Sequence, residues 1–530
     1  MAPPRLKPAK KKRDSTKLVN KDDYLDAADG HEEAMGKHRV GDPVKALRFA
    51  DRALDVYSEG LTKFPRSFDL AYNKARLELE KATDTVLSQA LRVPTLSVLR
   101  QAFSSHQYAL DINPTHTDTM FNMAQVLTGM AEIIAQDDEA DDSEALQYIK
   151  RAMEVQISCF ELQRIAFEKS RLELERAMRE TAEYSTDQID SGQAITNPAS
   201  ESQRITREEQ WAVVEEPITA VTLLETIIAQ IEALTAFCSM ISSSLASSPE
   251  AVHASDSASA LSWIDSYSEN LLTQKLPTLI DDNKSTLESR LSDVMLPRAI
   301  FMGNYLDLSF RLSKIDIKKY TSELASAFAQ PGLDVTSEDF LWASAHALLS
   351  LNSTLTLVST GESDASVASV RWTALTAAQS RLSSIASRPN IDKHALATTH
   401  LLRGDISLFL QMLSYPPIAH PKARAMTPLK HAEVYYRNAG KLLDSLGRST
   451  EDERIVCELK GAVVNVLLSS SSGKEDHSII VNMPTSEEIE RALGAVLKEK
   501  GGQWVKDHLE EMAGQGMVII PQVFSAVMQG

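Results

Sequence analysis

The apolar positions of this chain recur with the period of an α-helix. From Lys21 to about Ala182, almost every window places apolar residues at i, i+3, i+4 and i+7, which puts them on one face of a helix. The same spacing returns in most later segments, and no segment alternates convincingly with the period of two that is typical of β-strands. Pro65, Pro94 and Pro114 fall between periodic segments and separate them. The pattern predicts an all-α chain of amphipathic helices.

Breaks in this pattern predict how the chain is divided. The polar stretch "YSTDQIDSGQAITNPASESQ" lacks periodicity, and the Ser/Ala-rich stretch "SSSLASSPEAVHASDSASAL" predicts a second connection at 241–260. The closing stretch "GMVIIPQVFSAVMQG" is apolar, so we expect it to pack on the last helices rather than face water. The predicted organisation is a basic tail at 1–18, a repeat array at 19–182, a linker at 183–204, a degenerate helical-repeat region at 205–450, and C-terminal helices with a docked tail at 451–530.

The stretch "HQYALDINPTHTDTMFNMAQVL", residues 106–127, shows how successive helices would meet. Ala102 and Ala109 lie on one face of a helix that ends before Pro114. Phe121 and Ala124 then begin the next helix. Small side chains at such positions let two helices approach to about 8–9 Å. We therefore expect helix pairs that pack through small residues.

This junction resembles the one between two tetratricopeptide repeats, a helix-turn-helix motif of about 34 residues. The stretch "FDLAYNKA" matches it, with Tyr72, Asn73 and Ala75 in the places of Phe121, Asn122 and Ala124. The stretches "GDPVKALRFADRAL" and "SEALQYIKRAMEV" resemble second helices of such pairs. Two later sets, "FLWASAHALL" with "RWTALTAAQSRL" and "HLLRGDISLFL" with "AEVYYRNAGKLL", resemble decayed pairs. The resemblance implies a right-handed helix-pair solenoid with a groove for an extended peptide or a helix.

The spacing shows that the repeats are interrupted. Ala102 follows Ala75 by 27 residues and Ala145 follows Ala124 by 21, where an uninterrupted repeat has about twelve. Interrupted repeats of this kind are similar to those of NASP-type histone chaperones and of ribosomal-protein assembly chaperones. That resemblance implies a non-enzymatic adaptor or dedicated chaperone.

The charge distribution suggests the kind of partner. The chain carries 55 Lys and Arg against 73 Asp and Glu, a net charge of −18. Residues 1–17 hold seven basic side chains and one acidic one, which leaves 48 basic and 72 acidic side chains in the rest. An acidic body repels nucleic acid and attracts basic proteins. We therefore expect a basic protein client, a ribosomal protein or a histone, and no direct binding of nucleic acid by the body.

The basic tail contains "KPAKKKR", which satisfies a nuclear-localisation pattern through Lys10, Lys11, Lys12 and Arg13. The alternative is a solubilising or RNA-contacting arm. The tail has no apolar core of a secretory signal, so we expect the protein in the nucleus and the cytoplasm.

Two sets of residues are candidates for binding the client. By the resemblance, Asn73 and Asn122 would face the concave side of the array. A full carboxylate clamp is not favoured, because the required Lys and Arg positions are displaced and Lys74 points to another face. The acidic stretch "QDDEADDSE" is the second candidate, as a contact for a Lys/Arg-rich client; its alternative is a solvated loop. Its predicted contact residues are Asp137, Asp138, Glu139, Asp141 and Asp142.

Motifs for catalysis, metals and membranes are missing from the sequence. There is no GxGxxG, GxSxG or HExxH, and "SSSSGKED" is not a phosphate-binding loop, because Glu475 replaces the Ser or Thr that would hold magnesium. Cys159, Cys238 and Cys457 lie far apart, so we expect each to pack as a small apolar residue in a reducing compartment. The apolar run "AVTLLETIIAQIEALTAFCSMI" carries two glutamates and predicts a buried helix rather than a membrane span. We predict no enzymatic activity, no cofactor and no membrane partner.

Two other functions stay open at this point. A scaffold subunit of a stable nuclear complex would keep its groove permanently occupied and would aggregate alone. An enzyme with a helical active site would show a pocket with converging titratable groups.

Overall fold

A computed structural model describes residues 18–136, 142–190, 217–247, 251–358, 365–415, 420, 422, 427–447, 450–471 and 486–518. All regular elements in these ranges are helices, which confirms the prediction of an all-α helical-repeat chain. The helices form two compact units, Met1–Ser289 (unit 1) and Arg290–Gly530 (unit 2).

Unit 1 is a row of helix pairs. In chain order it contains α1 (Lys21–His38), α2 (Pro43–Lys63), α3 (Phe68–Thr83), α4 (Thr85–Gln89), α5 (Thr95–Ile112), α6 (Thr117–Ala135), α7 (Asp142–Asp190), α8 (Ala220–Ser247), α9 (Ala251–Asn270), α10 (Leu276–Asp282) and α11 (Lys284–Leu287), with a π-helical turn, Leu271–Lys275, between α9 and α10. Helix α1 packs on α2, α3 on α5, and α6 on α7, and each pair packs on the next. The short α4 occupies the interruption that the sequence spacing places between Ala75 and Ala102.

Local signals in the sequence set the ends of these helices. Asn20 and Asp23 form a reciprocal capping box at the start of α1. Pro43 is the first residue of α2, where its missing N–H costs nothing, and the Asp42 side chain accepts the Lys45 N–H at 3.0 Å. Pro94 immediately precedes α5. Short loops therefore join helices that fold back on one another.

Small side chains lie where the helices cross, as the sequence pattern predicts. Ala46 and Ala53 of α2, Ala75 of α3, Ala102 of α5 and Ala124 of α6 are all 0% exposed. Larger apolar residues fill the space around them, because a small residue on one helix leaves room for a Leu, Met or Tyr on its neighbour.

Helix α8 is the most apolar helix of the structure. Its segment Ala220–Leu245 is long and apolar enough to cross a membrane by length and composition, and 56% of its most apolar window is buried. The helix packs on α6, α7, α9, α10 and α11. Ile227, Ile231 and Leu234 are fully buried there. The prediction of a buried helix agrees with this packing.

Unit 2 continues the same architecture. It contains α12 (Leu291–Arg311), α13 (Ile317–Ala327), α14 (Glu338–Val358), α15 (Ala365–Ala386), α16 (Lys393–Met412), α17 (Thr427–Leu446), α18 (Glu451–Ser471), α19 (Ser486–Lys500) and α20 (Gly502–Gly514). Each helix from α14 to α20 packs on the next along the chain. Beyond α20, Met517 and Val518 are buried in the same core cluster as residues of α16, α18 and α19. The remaining residues of the predicted docked tail, 519–530, lie outside the described ranges.

One buried polar contact joins three helices of unit 2. The Tyr436 hydroxyl donates to Asp405 Oδ1 at 2.7 Å, and Lys460 Nζ lies 2.9 Å from the same oxygen. The Tyr436 ring packs against Gly404, where a Cβ atom would lie 2.5 Å from the ring. Lys460 and the Tyr436 hydroxyl together offset the free-energy cost of burying the Asp405 carboxylate.

The structure differs from the sequence-based expectation at the two connections. Helix α7 continues to Asp190, so residues 183–190 of the predicted linker are helical. Most of the connection predicted at 241–260 is helical, because α8 extends to Ser247 and α9 begins at Ala251. Residues 248–250, between these helices, lie outside the described ranges. Ala is the strongest helix former and Ser costs only a few tenths of a kcal/mol, and burial of Leu261 and Ile264 adds to the stability of α9. The domain boundaries at 182, 204 and 450 stay predictions.

Candidate protein-binding face

The first helices of the pairs in unit 1 lie side by side. Helix α1 contacts α3, α3 contacts α6, and α6 contacts α8. Their outward side chains form one surface, which we call the A face. It includes Glu32 on α1; Asp69, Tyr72, Arg76 and Glu80 on α3; Asp118, Asn122 and Glu132 on α6; and Glu225 and Glu232 on α8.

Between α1 and α3, the charges of the A face compensate one another. Arg76 bonds Glu32 of α1 and lies 3.4 Å from Glu80 of its own helix. Arg39, just after α1, bonds Glu80 and lies 3.2 Å from Asp84. Glu32 also accepts the Tyr57 hydroxyl at 2.6 Å, and this contact together with burial raises the pKa of that phenol. This part of the face is a closed network that joins the first two helix pairs.

Between α3 and α6, the face is aromatic. Phe68, Tyr72 and His116 form a cluster with ring centroids 4.6 to 5.9 Å apart. Asn122 hydrogen-bonds the Tyr72 phenol, whose pKa is raised by burial and by the charge of Asp118. The cluster aligns α6 against α3.

The two asparagines predicted to bind the client lie on neighbouring helices. Asn73 and Asn122 each stand five residues after the first residue of their helix, and both are half-buried. The amide of Asn122 is engaged by Tyr72. The Nζ of Lys74 lies 2.9 Å from Ser105 Oγ of α5 and 2.9 Å from Glu78 of its own helix. Asn122 therefore lies on the A face beside Tyr72, and the Lys74 ammonium is engaged elsewhere.

Between α6 and α8, the A face is purely acidic. These two helices together carry Asp118, Glu132, Glu225 and Glu232 and contain no Lys or Arg. Glu132 and Glu232 are exposed to solvent. Neither carboxylate has a cation or a hydrogen-bond donor among the residues that the structure describes.

The surroundings of these two glutamates disfavour their charged forms. Partial burial against α6 and α8 raises the pKa of both carboxyls, and the negative charge of Glu132 raises that of Glu232 further. Both side chains reach water and are nevertheless partly desolvated. A site of this kind attracts a Lys or Arg side chain, because a bound cation relieves the repulsion and takes up the unused acceptor positions.

The predicted acidic contact stretch lies next to this pair in the sequence. Asp137, Asp138, Glu139 and Asp141 fall outside the described residues, and Asp142 is the first residue of α7, with its side chain outside the description. The stretch follows α6 directly, and Glu132 lies one turn before the end of that helix. Lys10, Lys11, Lys12 and Arg13 also fall outside the described residues.

Sequence reasoning missed Asp118, Glu132 and Glu232 as a set. The available signal was the absence of Lys and Arg from α6 and α8, combined with the seven-residue spacing of Glu225 and Glu232, which places both on one helix face. Within the described ranges, no group of three or more His, Cys, Asp or Glu is arranged to hold a metal ion.

Comparison with known proteins adds little to this picture. No protein-family model matches the chain. UPF0656 protein C926.02 of Schizosaccharomyces pombe is 29% identical over 195 residues, which are 36% of this chain and 40% of that protein. The chain thus spans well under half the length of this relative. A solved structure titled "Circular tandem repeat protein with novel repeat topology and enhanced subunit contact surfaces" aligns over 96% of this chain and 97% of its own, at 10% identity and a TM-score of 0.25, which is too low to support an argument.

Proposed function

We propose that this protein is a non-enzymatic adaptor or dedicated chaperone that binds a basic segment of a protein client along the A face. One observation carries the proposal: α6 and α8 present four carboxylates and no cation, and Glu132 and Glu232 are partly desolvated without a partner. The repulsion between Glu132 and Glu232 costs stability, and a basic client would offset that cost.

The side-by-side arrangement of α1, α3, α6 and α8 supports a tetratricopeptide-like mode of binding. In that mode the first helices line a groove that accepts an extended peptide or a helix. Like charges repel other acidic chains, and opposite charges raise the rate of encounter with basic ones. The aromatic cluster at Tyr72 would supply apolar contact beside the acidic part of the face.

The client class follows from the charge. Ribosomal proteins and histones are rich in Lys and Arg and bind nucleic acid without specificity before assembly. Covering their charges on an acidic face would suppress that binding. The "KPAKKKR" segment would serve import, so that the protein acts in both the nucleus and the cytoplasm.

The experiment is affinity capture of the tagged full chain from native extract at low and moderate salt, followed by mass spectrometry. We expect one basic protein in stoichiometric amount, lost as the salt concentration rises, because screening weakens exposed ion pairs. Recovery of acidic or neutral proteins only, at either salt concentration, would refute the proposal.

A second candidate is a scaffold subunit of a stable nuclear complex, and one feature of α7 favours it. Beyond Arg164 this helix exposes large apolar side chains: Ile165 is 58%, Leu172 49%, Leu174 57% and Met178 63% exposed. Such residues are typical of a permanent interface. A salt-resistant set of several captured proteins, together with aggregation of the free chain, would support this candidate over the first.

A further inference from the structure

Unit 2 contains a cavity that the proposed function does not use. It has a volume of about 450 Å³ and lies between α13, α14 and α15. Leu324 of α13, Phe328 just after it and Leu351 of α14 are among its apolar lining residues and belong to the buried core. Ala374 and Ala377 of α15 line the opposite wall, and their small side chains keep the space open.

One charged side chain lines this apolar space. Arg381 of α15 donates from Nε to Ser344 Oγ at 2.5 Å. Its other N–H groups have no acceptor in the described part of the chain. No Asp or Glu lines the cavity. The side chain is half-buried, and this partial burial lowers the pKa of the guanidinium because it removes some of the water around the charge.

A nearby arginine, Arg388, has a carboxylate partner, unlike Arg381. Arg388, two residues after α15 ends, lies 4.0 Å from Glu338 and outside the cavity. Arg381 has no such carboxylate, although the chain carries an excess of acidic residues. A guanidinium presents a rigid planar fork of donors that fits a carboxylate with two parallel hydrogen bonds. A carboxylate that carries an apolar body would complement both the guanidinium of Arg381 and the apolar lining.

We propose that this cavity binds a small apolar monocarboxylate, an alkyl chain of about ten carbons whose carboxylate pairs with Arg381. The volume fits this class, because small-molecule sites have roughly 300–1,000 Å³. A docked helix does not fit as well. Two turns of helix, about 10 Å across and about 11 Å long, occupy roughly 800 Å³. The proposal is independent of the function proposed for unit 1.

The test uses isothermal titration calorimetry of the full chain with decanoate and with 1-decanol, which shares the alkyl chain but not the charge. We expect saturable binding of one decanoate per chain and at least tenfold weaker binding of the alcohol. Arg381→Gln should weaken decanoate about tenfold to hundredfold, the range for losing a charged hydrogen-bonded pair, and leave the alcohol unchanged. Arg388→Gln is the matched control and should bind decanoate like the wild type.

A second variant tests whether decanoate binds inside this cavity. Ala377→Phe places a ring in the cavity and should abolish binding of both compounds, with the helical circular dichroism signal used to check folding. The comparison of acid and alcohol on the wild-type chain does not depend on any variant folding. Absence of saturable decanoate binding would overturn the proposal, as would equal affinity for the alcohol or unchanged affinity in either the Arg381→Gln or the Ala377→Phe variant.

Discussion

Glu132 of α6 and Glu232 of α8 meet as like charges on the A face: the charge of Glu132 raises the pKa of Glu232, and burial raises the pKa of both. No base on either helix offsets them. An arrangement that opposes folding persists where it serves another purpose, and binding sites commonly carry this kind of cost. The proposal of a cationic partner therefore depends most directly on this pair.

Neutralising this pair should stabilise unit 1. The folded-state pKa of Glu232 lies above its ordinary value of 4.5, so folding favours the neutral carboxyl. The contribution of this group to the free energy of unfolding is therefore favourable at low pH and is lost as the pH rises through the folded-state pKa. Glu232→Gln should therefore raise the free energy of local opening of α6 and α8 at pH 7 by a few tenths to about 1 kcal/mol. Amide hydrogen exchange measures this opening.

The gain from Glu232→Gln should disappear below about pH 4, where the wild-type carboxyl is itself neutral. Asp55→Asn, which neutralises an exposed acid on α2 away from the A face, is the matched control and should leave exchange in α6 and α8 unchanged. Faster exchange in Glu232→Gln at pH 7 would show that the charge supports the fold instead.

Gly404 should tolerate no side chain. A Cβ there would lie 2.5 to 2.8 Å from ring atoms of Tyr436, and that ring is fixed by its hydrogen bond to Asp405. Gly404→Ala should destabilise unit 2 by about 2–3 kcal/mol through overpacking. Gly440→Ala is the matched control, because the nearest atom to its Cβ is 3.9 Å away and Ala favours the helix by up to about 1 kcal/mol. Similar urea midpoints for the two variants would contradict the packing of α16 against α17.

The three cysteines should be unreactive in the folded chain. Cys159, Cys238 and Cys457 form no disulfide and are buried. Burial raises the pKa of Cys159 and Cys457 to about 12, so almost no thiolate forms at neutral pH. A thiol reagent at pH 7.5 should modify none of them within minutes and all three in denaturant. Rapid reaction of one thiol in the native chain would show an opening that this packing does not allow.

Local patterns in the sequence predict many of the helices, but they do not predict the arrangement of residues on the A face. The stretches "FLWASAHALL", "RWTALTAAQSRL" and "HLLRGDISLFL" are predicted to be helical, and they lie inside α14, α15 and α16. Their apolar spacing is that of a helix, and polar breaks separate them. The first half of α9 is missed because its Ser/Ala-rich sequence lacks periodicity, whereas Leu261 and Ile264 in the second half are buried.

Local patterns in the sequence cannot predict that Glu132 and Glu232 lie near each other. These residues stand 100 positions apart, and they meet only because α8 packs beside α6. The position of Arg381 beside an alanine-lined cavity depends in the same way on how α13, α14 and α15 pack. Sequence periodicity indicates which face of a helix is buried, but not which helix covers it.

The most direct test of the central claim is the affinity of the captured basic client for three forms of the full chain. These are the wild type, the A-face double variant Glu132→Gln with Glu232→Gln, and a control double variant, Asp55→Asn with Glu154→Gln, which removes two exposed acids from second helices. We predict that the A-face variant binds at least tenfold more weakly at low salt and has a shallower salt dependence, whereas the control stays close to the wild type. Equal loss in both variants would mean that only net charge matters, and no loss in either would contradict the assignment of the A face as the client site.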